Sequence, residues 1–100
     1  MVKDVARYII VYDISDDRAR LRLAELLQRK GLSRIQRSAF VGELTRAELK
    51  DLLRRAQEII DLTTDVLHII PVCRYDWSKR IVVGKPLNEK RRRIEGVLFV

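Results

Sequence analysis

The order of apolar and polar positions along the chain predicts strands alternating with amphipathic helices. Residues 5–13 (VARYIIVYD) are rich in β-branched and aromatic residues, which predicts a strand that is apolar on both faces. Residues 17–30 then carry alanine and leucine at helical spacing. Ser15 or Asp16 is the expected N-cap of this helix, and Gly31 its stop.

The rest of the chain continues this pattern. Periodicity predicts one long strand over residues 33–44 (SRIQRSAFVGEL), followed by Thr45 as the N-cap of a helix at 46–61. Residues 65–72 (DVLHIIPV) predict another strand, which Pro71 favours at an edge or an end. RYDWSKR predicts a loop or short turn, and the segments RIVVG (80–84) and GVLFV (96–100) predict short strands flanking a charged linker.

Two amphipathic helices on one face of a sheet predict an α+β sandwich of the ferredoxin-like type. The first strand is apolar on its other face too, so we expect a second copy to cover that face in a two-fold homodimer. Residues 1–84 then form the domain. Residues 85–100 form a basic linker and a strand that packs on the partner.

Composition narrows the class of protein. The 100 residues are 47% apolar, and a single cysteine excludes an intrachain disulfide or a cysteine-cluster zinc site. No apolar stretch approaches the roughly 18–20 residues that span a membrane, and no signal-peptide pattern opens the chain. We therefore expect a cytoplasmic protein with no membrane partner.

The net charge of +7 is unevenly distributed. Residues 17–37 hold seven Lys and Arg against two acids, and residues 74–93 hold eight against two. Segregated basic charge is typical of a nucleic-acid partner, although solvated helix faces also carry it. The run KRRR at 90–93 is a candidate for backbone binding on the same grounds.

Asp13 is the strongest candidate for chemistry, because it ends a central strand, where ligands gather in many folds. A single carboxylate binds Mg²⁺ poorly, but the two Asp13 side chains of a homodimer could share one ion if they lie near the dimer axis. The alternative is a turn-initiating aspartate. Asp16 and Asp17 lie at the start of the following helix, where acidic side chains interact favourably with the helix dipole. This explains both residues without a role in chemistry.

The arginines after Asp13 cannot all act together, because residues two apart on a helix diverge by about 200°. Arg20 lies nearer the end of the strand, whereas Arg18 and Arg22 suit a solvated face. His68, the single histidine, is expected in the core or at an interface. Cys73, the single cysteine, is expected to be buried. No glycine-rich phosphate loop and no aromatic RNA-stacking signature occurs.

The stretches YDISDDRAR (12–20), RKGLSRIQRSAFVGEL (29–44) and RIVVG together resemble the small CRISPR-associated protein two family, the partner of the spacer integrase. The resemblance implies two short strands with a reversal near Ser38 in place of one long strand. It also implies a magnesium-dependent endonuclease for single-stranded RNA or duplex DNA. Its residue motifs imply Asp13 as the catalytic, metal-binding aspartate with Tyr12 beside it. The nucleic-acid contacts that it implies are Arg20, Arg22, Arg34, Ser38 and Phe40. Arg37 and Ala39 depart from the tyrosine and valine that are common there.

Three functions remain open on these grounds. One is a magnesium-dependent nuclease acting in CRISPR adaptation, and the second is a non-catalytic DNA-binding scaffold that bridges integrase dimers. The third, a regulatory module for small molecules, is disfavoured by the +7 charge and by the lack of a glycine-rich ligand turn.

Overall fold

The computed structural model describes residues 4–87, which form a four-stranded antiparallel sheet with two long helices on one face. The order is β1 (Val5–Asp13), α1 (Asp17–Arg29), β2 (Ser33–Gln36), β3 (Ala39–Thr45), α2 (Arg46–Ile59), β4 (Val66–Val72) and a short α3 (Arg74–Ser78). The strands lie in the order β2-β3-β1-β4, the ferredoxin-like arrangement that the sequence predicts.

Local chemistry explains where the helices begin and end. Asp16, rather than Ser15, caps α1 by accepting a hydrogen bond from the Ala19 amide at 2.8 Å. Gly31 follows the helix at a φ of +90°, a conformation that favours glycine. Thr45 forms a capping box with Glu48, as its position in the sequence predicts.

The side chains of the central strand β1 alternate between the two faces of the sheet. Its residues Ile10 and Tyr12 point toward the helices and are buried with Phe40, Leu23 and Leu52. Alternate residues point to the helix-free face, where Val11 and Ile70 are 38% and 47% exposed. The sheet is therefore apolar on both faces, but the helices cover only one.

Three predictions about local structure are wrong. Residues 33–44 are two strands with a turn between Gln36 and Ala39, as the family resemblance implies and periodicity does not. RYDWSKR contains the short helix α3. Residues 80–84 form no strand, because they pair with no strand of the described chain; Ile81 and Val83 are about 70% and 71% exposed.

Two expectations about burial also change. Cys73 is exposed and caps α3, since its sulfur accepts a hydrogen bond from the Asp76 amide. His68 is exposed on the helix-free face, which excludes the core and leaves the interface role open. The run at 90–93 and the strand predicted at 96–100 lie outside the described residues. Among residues 4–87, no helix has the length and apolarity to cross a membrane.

Candidate nucleic-acid interface and metal site

Asp13 lies where β1 ends, at the edge of an open cleft of about 550 Å³. The carboxyl end of β1, the first turns of α1 and the turn between β2 and β3 form its walls. The polar side chains that line it include Asp13, Arg20, Arg34, Arg37 and Ser38. The cleft therefore combines two exposed carboxylates, those of Asp13 and Asp17, with three guanidinium groups.

The backbone beside Asp13 is held from both sides. The Tyr12 amide donates to the Ser38 carbonyl at 3.0 Å, and Asp13 pairs with Val66 of β4. Ile14, the next residue, is only 2% exposed and packs in the core. The end of the strand is thus fixed, while the Asp13 side chain remains exposed on the helix-free face.

Tyr12 lines the cleft, but almost all of its surface is buried. Its ring is 3% exposed, and its hydroxyl donates to the Arg37 carbonyl at 3.3 Å. Burial raises the pKa of Tyr12 above 10.0, against a smaller lowering by Arg34 and Arg20. A phenol that stays protonated at neutral pH is suited to holding the β2–β3 turn, and less to exchanging protons with a substrate.

Arg20 and Arg34 are held on opposite walls by contacts within the chain. Arg20 donates to the Ile14 carbonyl at 2.7 Å and forms an ion pair with Asp17. Arg34 donates to the Arg37 carbonyl at 2.7 Å and lies 5.0 Å over the ring of Phe40. Both guanidinium groups are therefore positioned before any anion arrives, which lowers the entropy lost on binding.

Two of the residues predicted to contact nucleic acid lie outside this cleft. Arg22 lines a separate groove of about 170 Å³ between α1 and α2, together with Arg29 and Arg55. Phe40 is 0% exposed, so it cannot contact nucleic acid directly. Its ring instead packs against the guanidinium group of Arg34, which lines the cleft. Of Arg20 and Arg22, the structure brings only Arg20 to Asp13, as helix geometry predicts.

Arg37 is a cleft residue that the sequence prediction did not include. It is exposed in the turn before Ser38, and its carbonyl accepts from both Tyr12 and Arg34. The family resemblance does mark Arg37 as a departure that adds charge near the predicted site.

Of the three acids at and after the end of β1, only Asp13 is available to a metal ion within the described residues. Asp16 caps α1 and Asp17 pairs with Arg20, which leaves Asp13 uncommitted among these three acids. Within residues 4–87, no group of three His, Cys, Asp or Glu side chains comes together as a metal site. An ion that needs six ligands would therefore take the others from water, from a phosphate or from a second copy of the chain.

Tyr12→Phe tests whether the Tyr12 hydroxyl holds the β2–β3 turn. We expect the free energy of unfolding to fall by about 0.5–1.5 kcal/mol, because the change removes one hydrogen bond and leaves the ring packed. Urea unfolding measures this, with Tyr8→Phe as the matched control, since the Tyr8 hydroxyl has no hydrogen bond within the described residues. Equal losses in the two variants would contradict the assignment.

Comparison with known proteins agrees with this architecture. Residues 6–80 match the family model described as CRISPR associated protein Cas2. The CRISPR-associated endoribonuclease Cas2 1 of Archaeoglobus fulgidus is 43% identical over 93 residues, which cover 93% of this chain and 98% of that protein.

A solved structure and a longer relative extend the comparison. A crystal structure of a Cas2 protein superimposes with a TM-score of 0.68 at 28% identity, covering 90% of this chain and 99% of that one. A CRISPR-associated endonuclease Cas1/endonuclease Cas2 fusion of Thermoproteus tenax is 49% identical over 47 residues, 47% of this chain and 18% of the fusion. With the fold and the matched family model, these similarities show that the chain belongs to the Cas2 family of CRISPR-associated proteins.

Proposed function

We propose that this Cas2 protein is a metal-dependent endonuclease that cleaves phosphodiester bonds in single-stranded RNA, duplex DNA or both. One observation carries the proposal: the exposed carboxylate of Asp13 lies at a cleft whose walls hold Arg20, Arg34 and Arg37. Guanidinium groups bind phosphate oxygens through paired hydrogen bonds, and a carboxylate is the ligand type that Mg²⁺ prefers. The names of the relatives, endoribonuclease and endonuclease, agree with this chemistry.

In this proposal each cleft residue has a separate task. Arg20 and Arg34 orient the phosphate from opposite walls, Arg37 adds charge at the mouth, and the Ser38 hydroxyl is a further donor to a phosphate oxygen. Asp13 would hold Mg²⁺. When bound, Mg²⁺ supplies an acidified water and neutralises charge on the phosphodiester. Tyr12 keeps the turn that carries Arg37 and Ser38 against the end of β1.

We propose that the active form is a homodimer in which the helix-free faces meet. This face carries Val11, Val66, His68 and Ile70 beside Asp13, and each of the five is exposed in the single chain. Burying such apolar side chains favours association. A two-fold axis close to Asp13 would bring both carboxylates to one ion, which one chain alone holds poorly.

The protein acts, in this proposal, with the spacer integrase in CRISPR adaptation in the cytoplasm. The fusion of Cas1 and Cas2 in Thermoproteus tenax supports this, because fusion joins proteins that work together. A second candidate function is a DNA-binding scaffold without cleavage. The groove with Arg22, Arg29 and Arg55 favours it, since arginines there offer backbone contacts away from Asp13. Glu25 and Glu58 also line this groove, and Arg55 pairs with Asp51, so Arg22 and Arg29 are its main candidates for phosphate contacts.

Asp13→Asn separates the nuclease from the scaffold. We expect cleavage of single-stranded RNA or duplex DNA with Mg²⁺ to fall on the order of 10²-fold or more, because the amide loses the charge that holds the ion. Binding of the same substrate in EDTA should be unchanged or slightly tighter, since a negative charge has left a basic cleft.

Asp4→Asn is the matched control, an exposed aspartate just before the opposite end of β1. It should cleave as the natural protein does. Equal cleavage by the natural protein and Asp13→Asn would exclude Asp13 as the metal ligand. No cleavage by any of the three proteins, with binding retained, would favour the scaffold.

Val11→Lys tests the proposed dimer. A lysine at the centre of the helix-free face would have to be buried against its own copy, so we expect monomers in analytical ultracentrifugation and loss of cleavage. Leu53→Lys, on α2, changes the same kind of partly exposed residue on the helical side and should leave the dimer intact. A Val11→Lys variant that remains dimeric would contradict this interface.

A further inference from the structure

Asp65 lies 50 residues from Ser15 in sequence, yet it holds the segment that follows Asp13. Its Oδ1 accepts hydrogen bonds from the Ser15 amide at 3.2 Å and from the Ser15 hydroxyl at 3.1 Å. Its Oδ2 accepts from the Asp61 amide at 2.9 Å. The carboxylate therefore joins the exit of β1 to the loop that leads into β4.

The peptide unit between Ile14 and Ser15 is held at both of its polar ends. Its carbonyl oxygen, on Ile14, accepts from Arg20 at 2.7 Å, and its N–H, on Ser15, donates to Asp65. In a planar trans peptide these two groups point in opposite directions, so Arg20 and Asp65 hold the unit from opposite sides. Rotation of this peptide would break one or both contacts.

We propose that Asp65 is a positioning residue, which sets the orientation of Asp13 and Arg20 by fixing the Ile14–Ser15 peptide. The proposal rests on the proposed function for its consequence, namely that Asp13 holds the metal ion. The residue after Asp65, Val66, is also the sheet partner of Asp13. Two adjacent residues at the entry to β4 thus contact both the last residue of β1 and the turn beyond it.

The chemistry of the contacts explains why a carboxylate is needed. Each oxygen of Asp65 accepts from a backbone N–H, and hydrogen bonds to both oxygens favour the ionised form of a carboxyl group. The hydrogen bond from the Asp61 amide, more than those from Ser15, lowers the pKa of Asp65, so this condition holds at neutral pH. An asparagine offers one oxygen and one NH₂ group, so it could satisfy only one of the two amides.

Removing Asp65 should not unfold the domain. Ile14 is 2% exposed and remains anchored in the core, and β1 keeps its pairing with β3 and β4. Asp65→Ala removes the acceptor for the Ser15 amide and hydroxyl and for the Asp61 amide, which all lie at this end of the sheet. A local effect at the exit of β1 is therefore expected, and it is distinguishable from a general loss of stability.

The test compares Asp65→Ala and Asp65→Asn with the control variant Asp61→Asn. Asp61 is an acid in the same loop, but its side chain accepts hydrogen bonds from Thr63 and not from Ser15. Amide hydrogen exchange, Mn²⁺ affinity by EPR and the Mg²⁺ concentration for half-maximal cleavage are measured for each. For Asp65→Ala we expect Ser15 to exchange at least about 10-fold faster while amides in the centre of β1 stay protected. Metal affinity should weaken about 10–100-fold by both measures, with the rate at saturating Mg²⁺ largely retained.

Asp65→Asn should fall between Asp65→Ala and the natural protein, and Asp61→Asn should match the natural protein in metal affinity. Unchanged Ser15 exchange in Asp65→Ala would overturn the proposal. So would a uniform rise in exchange across β1, which means that Asp65 serves stability alone. If the natural protein cuts nothing, the proposed nuclease fails, whereas Ser15 exchange and Mn²⁺ affinity still decide the role of Asp65.

Discussion

The pairing of β1 with strands on both sides is the constraint on which the rest of the structure depends. β1 pairs with β3 and β4 along nearly its whole length, and its side chains alternate between the two faces of the sheet. With Ile10 and Tyr12 buried under the helices, Asp13 must point to the helix-free face. A slip of one residue would bury the carboxylate of Asp13 and turn Ile10 and Tyr12 to the helix-free face, so the packing of these two residues fixes the side on which Asp13 appears.

The same constraint explains how the cleft is assembled. Asp17, Arg20, Leu21 and Ala24 all line it, a spacing of three and four residues that places them on one side of α1. The opposite wall comes from the β2–β3 turn, which Tyr12 holds through its amide and its hydroxyl. The arginines of both walls contact backbone carbonyls of the turns next to Asp13. The arginine guanidinium groups and the Asp13 carboxylate are thus held near one another by a few hydrogen bonds around the carboxyl end of β1.

Much of this was predictable from sequence, because it depends on local signals. The bounds of β1, the capping box of Thr45 and the choice of Arg20 over Arg22 follow from periodicity, caps and helix geometry. The reversal between β2 and β3 was not predictable from periodicity, because its turn contains no glycine, proline or asparagine. The RIVVG segment is apolar like a strand, but it lacks a partner strand in the described chain. The contact between Ser15 and Asp65 depends on tertiary pairing, so no local pattern indicates it.

Mixing subunits tests most directly whether two copies of Asp13 form one metal site. Natural protein and Asp13→Asn, carrying different affinity tags, are mixed in equal amounts and allowed to exchange, and cleavage with Mg²⁺ is then measured per total protein. A site that needs both carboxylates leaves about a quarter of the original activity, because only natural homodimers cut. About half of the original activity would mean that each protomer carries its own site, which would contradict the shared ion.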